Sequence, residues 1–156
     1  DRVMILSGSQ QGTDLTANTA NVASVECPFT GATLTAVAAL NPDVTIVHAQ
    51  QADRHGNVQL WGILGCQKEA LLAARTTVVT VEEIVDELEL RPGGLIIPAM
   101  TVSIVCHVPG GAAPSYAHGY YERDNAAYLR WGAVSRSREG FTQWLEGIRS
   151  TTPVTS

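Results

Sequence analysis

The sequence predicts an α/β protein with an open, mostly parallel sheet flanked by helices. Three features carry that prediction. Residues 44–49 and 76–81 are dense in apolar and β-branched side chains over strand-like lengths. Between them, residues 66–75 are good helix formers, with Ala70, Leu71, Ala73 and Ala74 at helical spacing. Strands that alternate with helices build parallel sheets, because two parallel neighbours need a crossover between them.

In chain order, residues 3–6 read as a short first strand and the Ser, Gly and Gln of residues 7–12 as a loop. Residues 14–23 have neither helical nor strand period and read as loop. Cys27-Pro28-Phe29-Thr30-Gly31 reads as a turn, and residues 34–40 as a strand stopped by Pro42. The strand at 44–49 ends in a polar turn, 50–57. Its Gly56-Asn57 pair tolerates positive φ. Residues 58–60 are extended. Residues 81–88 read as a short amphipathic helix, with Glu82, Glu83, Asp86 and Glu87 facing away from Ile84, Val85 and Leu88. Arg91-Pro92-Gly93-Gly94 ends it. Strand candidates follow at 95–97 and 100–107, split by Pro98, and then a Gly/Ala/Pro loop at 109–114. Residues 123–131 and 139–148 read as helices. The second carries Phe141, Trp144, Leu145 and Ile148 as an i, i+3, i+4, i+7 stripe. Residues 151–156 read as a frayed tail. Runs 44–49, 76–81 and 100–106 are expected to be neighbouring buried strands of a single domain, 1–156.

Composition narrows the functional classes. The 156 residues are 45% hydrophobic and 16% charged, which suits a globular domain, and the net charge is −5. Ten Lys and Arg form no basic run, so no nucleic-acid partner is expected. No apolar run approaches the roughly 18 residues of a membrane span, and no basic-then-apolar leader is seen. Cys27, Cys66 and Cys106 are few, odd in number and far apart, so reduced thiols in a cytoplasmic protein are expected. No CxxC offers a metal site, and on a strand the adjacent Cys106 and His107 point to opposite faces.

Three clusters could carry chemistry. Gln50, Gln51, Asp53, His55 and Asn57 lie where an open α/β fold presents polar groups to a ligand. The same Asp53 and Asn57 would serve equally as a turn closed by Asx hydrogen bonds, with His55 on its surface. Pro109-Gly110-Gly111-Ala112 follows a strand. It could bring backbone N–H groups to a ligand carbonyl or phosphate, or be a plain glycine loop. Ser115, His118, Tyr120 and Tyr121 form the third cluster. Ser115 and His118, three apart, could be a nucleophile and its base, although no GxSxG elbow surrounds Ser115 and triads meet through the fold rather than through close spacing. The tyrosines could pack the loop or line an acyl pocket. The acidic run 82–87 reads as a solvated helix face, whereas Glu26 and Glu122 sit in predicted loops.

Six segments in order resemble the alpha (or A) subunit of family I coenzyme A transferases of the glutaconate type. They are GTDL at 12–15, CPFTG at 27–31, NPDVTIVHAQQADRHGNVQLW at 41–61, VTVEEIVD at 79–86, VPGGAAPS at 108–115 and YAHGYYERDNAAYLRW at 116–131. The resemblance implies the open α/β fold shared with some sugar-phosphate isomerases. It also implies that this chain corresponds to the C-terminal half of such a subunit. In that family a glutamate attacks an acyl-CoA thioester, and coenzyme A passes through an enzyme thioester to an acceptor carboxylic acid. In two-subunit members the glutamate belongs to the beta (or B) subunit, so no catalytic residue is expected here. Gln50, Asp53, Asn57, Gly110, Gly111 and Ser115 are the expected substrate-binding wall. The resemblance implies no metal or redox cofactor, with coenzyme A as substrate. Its implied partners are a beta subunit, an acyl-CoA and a carboxylic acid, without nucleic acid or membrane. The alternatives are a hydrolase of CoA thioesters or CoA-linked diketones on the same fold, and a non-enzymatic small-ligand sensor.

Overall fold

The computed structural model describes residues 4–9 and 12–151. The chain forms two compact units, residues 1–43 and 44–156.

The first unit is an antiparallel sheet. Strands β1 (Met4–Ser7) and β2 (Val22–Glu26) flank β3 (Thr33–Ala38), and the one-turn helix α1 (Leu15–Asn18) precedes β2. The stretch 14–23 is therefore not all loop. Its Thr, Asn and Ala side chains carry no periodic signal, and the order comes from pairing, with Val22 opposite Val37. The turn at 27–31 closes the β2–β3 hairpin: the Gly31 N–H donates to the Cys27 carbonyl and the Cys27 N–H to that of Ala32, each at 2.9 Å. Residue 3 of the predicted first strand lies outside the described residues.

The second unit holds β4 (Val44–Asp53), β5 (Val58–Leu60), α2 (Gln67–Ala73), β6 (Thr76–Val85), β7 (Leu95–Ile97), β8 (Ile104–His107), α3 (Asn125–Val134) and α4 (Arg138–Thr151). One open sheet runs in the order β7-β5-β4-β6-β8. The β4–β6 and β6–β8 pairs are parallel, while β5 pairs antiparallel with both β4 and β7. The α/β class stands as the sequence predicts and the three expected strands are neighbours, but the sheet is mixed rather than mostly parallel, because the short turn after β4 brings β5 back antiparallel. The third is shorter and lies at the edge: residues 99–101 form a 3-10 turn after Pro98, and Ile104 is half-exposed.

The segment 81–88 departs from its reading. It is not a helix: β6 runs on to Val85, with Glu83, Ile84 and Val85 opposite Gln51, Ala52 and Asp53 of β4. The helical spacing of its acids loses to β-branched Val81, Ile84 and Val85 and to a ladder already in register. By the same pairing β4 continues past Ala49 to Asp53, into the stretch read as a turn.

The core lies along β4, β5 and β6. Val47, Ala49, Ala52, Val58, Leu60, Val79, Val81 and Ile97 pack with Leu71 of α2. Each fully buried aliphatic side chain contributes about 1.5–3 kcal/mol relative to exposure. In α3 and α4 the predicted stripe meets Trp131, whose ring centroid lies 4.6 Å from that of Trp144 and 6.1 Å from that of Phe141. Several large apolar side chains stay exposed, Ile46, Ile63, Met100 and Leu129 among them. Of the predicted tail, Thr151 closes α4 and residues 152–156 lie outside the described residues.

Candidate functional site

The parallel β4–β6 pair carries a polar cluster toward its carboxyl ends, where an open α/β sheet presents groups to a ligand. From β4 come His48 and Gln50; from β6 come Thr80 and Glu82. Residues 108–115, following β8, lie over them, and residues 116–121 fold back alongside. Together they bound a cleft of about 230 Å³, lined by His48, Gln50, Trp61, Ile63, Gln67, Ala112, Ser115, Tyr116, Ala117 and His118.

Glu82 is the centre of the cluster. Its carboxylate is buried and accepts three hydrogen bonds: from His48 Nε2 at 2.6 Å, from Tyr121 Oη at 2.6 Å and from the Gly110 N–H at 2.7 Å. Burial alone would raise its pKa. The bonds from Tyr121, Gly110 and His48, with the attraction of His48, outweigh burial and hold the pKa below the ordinary carboxylate value. The Tyr121 phenol is pushed up by burial and by donating to that carboxylate. Next along β6, Glu83 accepts from Gln51 Nε2 and Tyr120 Oη, both at 2.8 Å. Burial and the bond to Glu83 push the Tyr120 phenol up to about 12. Adjacent strand residues face opposite ways, so the Tyr120-Tyr121 pair grips both sides of the end of β6.

Of the residues singled out from sequence, Gln50 and Ser115 line the cleft. Gln50 is buried and clamps the Trp61 backbone, donating to its carbonyl at 3.0 Å and accepting from its N–H at 3.2 Å. Asp53 and Asn57 lie in the β4–β5 turn and do not line the cleft. The Asp53 carboxylate accepts from the His55 and Asn57 N–H groups at 2.9 Å and from Asn57 Nδ2 at 2.7 Å, the Asx arrangement. Asn57 Oδ1 accepts from the Ala99 N–H at 2.9 Å.

Gly110 and Gly111 are in the loop beside the cleft, but their N–H groups are engaged within the chain. Gly110 donates to Glu82, Gly111 to the Val108 carbonyl at 3.0 Å and Ala112 to Tyr121 Oη at 2.9 Å. Each glycine is needed for a different reason. Gly110 has φ +77°, which disfavours any side chain. At Gly111 a Cβ would lie 2.9 Å from the His48 ring and 2.9 Å from the Val108 carbonyl oxygen.

His48 also bonds Thr80 Oγ1 through Nδ1 at 2.8 Å, so Glu82, His48 and Thr80 form a hydrogen-bonded chain. Its composition is that of an acid–base–nucleophile relay. Thr80 does not line the cleft, and the adjacent loop amides are engaged, so the relay lacks both substrate access and oxyanion donors. Among the described residues no His, Cys, Asp or Glu group could hold a metal ion, and no helix is long and apolar enough to cross a membrane.

The sequence reading missed Glu82 and His48. The signal for Glu82 was the β-branched run through Val85, which marks a strand rather than a solvated helix. His48 had no local signal; its importance comes from its neighbour on β6.

The sequence and fold have known relatives. Residues 3–107 match the model of the coenzyme A transferase family. Over 141 residues the chain is 57% identical to the A subunit of the 3-oxoadipate CoA-transferase of Pseudomonas knackmussii, covering 90% of this chain and 50% of that protein. Over 120 residues it is 38% identical to the A subunit of the glutaconate CoA-transferase of Acidaminococcus fermentans, covering 75% of this chain and 38% of that protein. The crystal structure of glutaconate coenzyme A-transferase from Acidaminococcus fermentans superposes with a TM-score of 0.81 at 28% identity, covering 92% of this chain and 51% of that one. The chain thus spans about half the length of the relatives it matches or less. On the family match, the alpha-subunit relatives and the shared fold, this chain belongs to the coenzyme A transferase family and aligns with its alpha subunits.

Proposed function

We propose that this chain is part of the non-nucleophilic alpha side of an enzyme that moves coenzyme A between an acyl-CoA thioester and a carboxylic acid. The attacking glutamate is on a partner beta subunit. The observation that carries this reading is the state of Glu82. It is the buried carboxylate beside the cleft, and all three of its partners are donors that hold it in place. A nucleophile must reach the thioester carbon; this carboxylate is buried, tethered on both oxygens and does not line the cleft.

The reaction then runs on the partner's carboxylate. It attacks the thioester carbonyl and expels the CoA thiolate, leaving a mixed anhydride. The thiolate returns to the glutamyl carbonyl and releases the donor acid, giving an enzyme-CoA thioester. The acceptor carboxylate attacks that thioester, and the thiolate then takes the new acyl group and frees the glutamate. This chain supplies walls. Gln50 and Ser115 face the bound acyl-CoA, Gly110 and Gly111 give the loop its close backbone approach, and Asp53 and Asn57 brace the turn after β4. Coenzyme A is a substrate here, and the chemistry calls for no further cofactor.

The test is acyl-CoA exchange with a free carboxylic acid, run on the complete alpha subunit with its beta subunit. Borohydride or hydroxylamine trapping should place the enzyme-CoA thioester on a beta-subunit glutamate. Turnover by residues 1–156 alone, or a trapped thioester on any glutamate among them, overturns the assignment and makes Glu26 or Glu122 the next candidate.

A further inference from the structure

The loop at 108–115 supplies Ala112 and Ser115 to the cleft, yet its local bonds do not fix where it sits. Gly111 donates to Val108, Ala113 to Gly110 and Ser115 to Ala112 at 2.8–3.0 Å, all within the loop. These stiffen the loop without attaching it to the sheet. Its first residue is attached: the Val108 N–H donates to the Val81 carbonyl at 2.8 Å. Past that point the Pro114 carbonyl accepts from the Asp124 N–H at 3.0 Å, and two tethers in the middle of the loop converge on one group. The Gly110 N–H reaches Glu82 Oε2 directly, and the Ala112 N–H reaches Glu82 Oε1 through the Tyr121 hydroxyl. The His48 ring lies against Gly111 and is itself held by Glu82. Glu82 touches loop, tyrosine and histidine at once but does not line the cleft.

We propose that Glu82 is a positioning residue, which sets the 108–115 loop as a wall of the cleft through Gly110 and, by way of Tyr121, through Ala112. The charge is essential to this role. All three partners are donors, and the Tyr121 oxygen already accepts from Ala112. A glutamine in place of Glu82 has one acceptor oxygen where the carboxylate has two. With that oxygen away from Gly110, an N–H faces the Gly110 donor. With it toward Gly110, the NH2 group keeps His48 and Tyr121 only if the imidazole changes tautomer and the hydroxyl turns away. The loop would then keep its internal turns and its holds at Val108 and Pro114, and lose or weaken those at Gly110 and Ala112. A displaced wall weakens ground-state and transition-state binding alike, so the kinetic signature is a raised KM with kcat retained.

The experiment uses the complete alpha subunit in assembly with its beta subunit. It compares wild type, Glu82→Gln, Tyr121→Phe and Ile97→Val. Ile97 is a core residue of β7 outside the network and controls for simple destabilisation. Hydrogen exchange is followed in peptides covering 108–115, together with kcat and KM for an acyl-CoA. Glu82→Gln should speed loop exchange and raise KM by roughly tenfold each, with kcat changed by no more than about twofold. Tyr121→Phe, which keeps the charge and one tether, should do the same by roughly threefold. Ile97→Val should lower the melting temperature and move neither readout. Unchanged loop exchange and KM in Glu82→Gln overturn the proposal. So does a collapse of kcat at constant KM, which would put Glu82 in the chemistry. If Glu82→Gln fails to assemble, Tyr121→Phe decides by the same criteria. The kinetic arm rests on the CoA-transfer reading and the exchange arm does not. A wild-type enzyme that transfers no CoA refutes that reading, and loop exchange still judges the anchor.

Discussion

Asp53 and Glu82 are the buried carboxylates among the described residues, and each accepts three hydrogen bonds. Their chemistry is the same and their reach is opposite. The donors to Asp53 lie two and four residues away, in its own turn. Those to Glu82 lie 28, 34 and 39 residues away, on the loop, on β4 and on the segment after the loop. Asp53 closes a piece of chain that would turn there in any case. Glu82 ties together three pieces that are distant in the chain, so its loss should be felt across the site.

The largest expected effect follows from that contrast. Glu82→Ala should destabilise the fold by about 3 kcal/mol, because it leaves buried donors unpaired and removes a charge on which they converge. Asp53→Ala should cost about 1–2 kcal/mol, since its donors sit in a surface turn where water can replace the carboxylate. Chemical denaturation midpoints measure both, and equal losses would break the comparison.

The loop glycines sharpen it next. Gly111→Ala should cost about 2 kcal/mol and disturb the His48 ring signals in NMR, since its Cβ would strike a backbone oxygen and that ring. Gly110→Ala meets no atom within 4 Å and should cost about 1 kcal/mol, from its positive φ alone. The reverse order would mean that the loop does not rest on His48.

Acid should act on both carboxylates. Burial raises each pKa, but the hydrogen bonds to each outweigh it and hold the folded value low. The unfolded chain therefore binds protons first, near pH 4. The stabilisation is complete above that pH and is lost as pH falls through the lower folded values. Glu82→Gln and Asp53→Asn should each flatten the acid limb of a stability–pH curve. An unchanged limb in either variant would show that its carboxylate is not held low.

Asn57→Ala should cost as little as Gly110→Ala, about 1 kcal/mol. It removes one donor to Asp53 and the acceptor of the Ala99 N–H, while both backbone bonds to Asp53 remain. A loss as large as that of Asp53→Ala would show that the turn depends on the side-chain link to Ala99, in the 3-10 turn after β7.

Features with local causes were legible in the residues alone. The apolar density of residues 44–49 and 76–81 made neighbouring strands, the Ala and Leu spacing after Cys66 made α2, and Asp53 with Gly56 and Asn57 made the turn. The ordered motifs pointed to the family. Other features needed contacts between distant parts of the chain. Residues 82–85 have the acids of an amphipathic helix and became strand, because β4 offered a ladder already in register. The N–H groups of the Gly110-Gly111 loop looked free in the sequence, and the fold turned them onto Glu82 and Val108. His48 and Tyr121 carry no mark of their own until the sheet sets one beside Glu82 and the returning chain lays the other over it. A buried carboxylate is defined by the donors around it, and here those donors are gathered by packing rather than by neighbours in the chain.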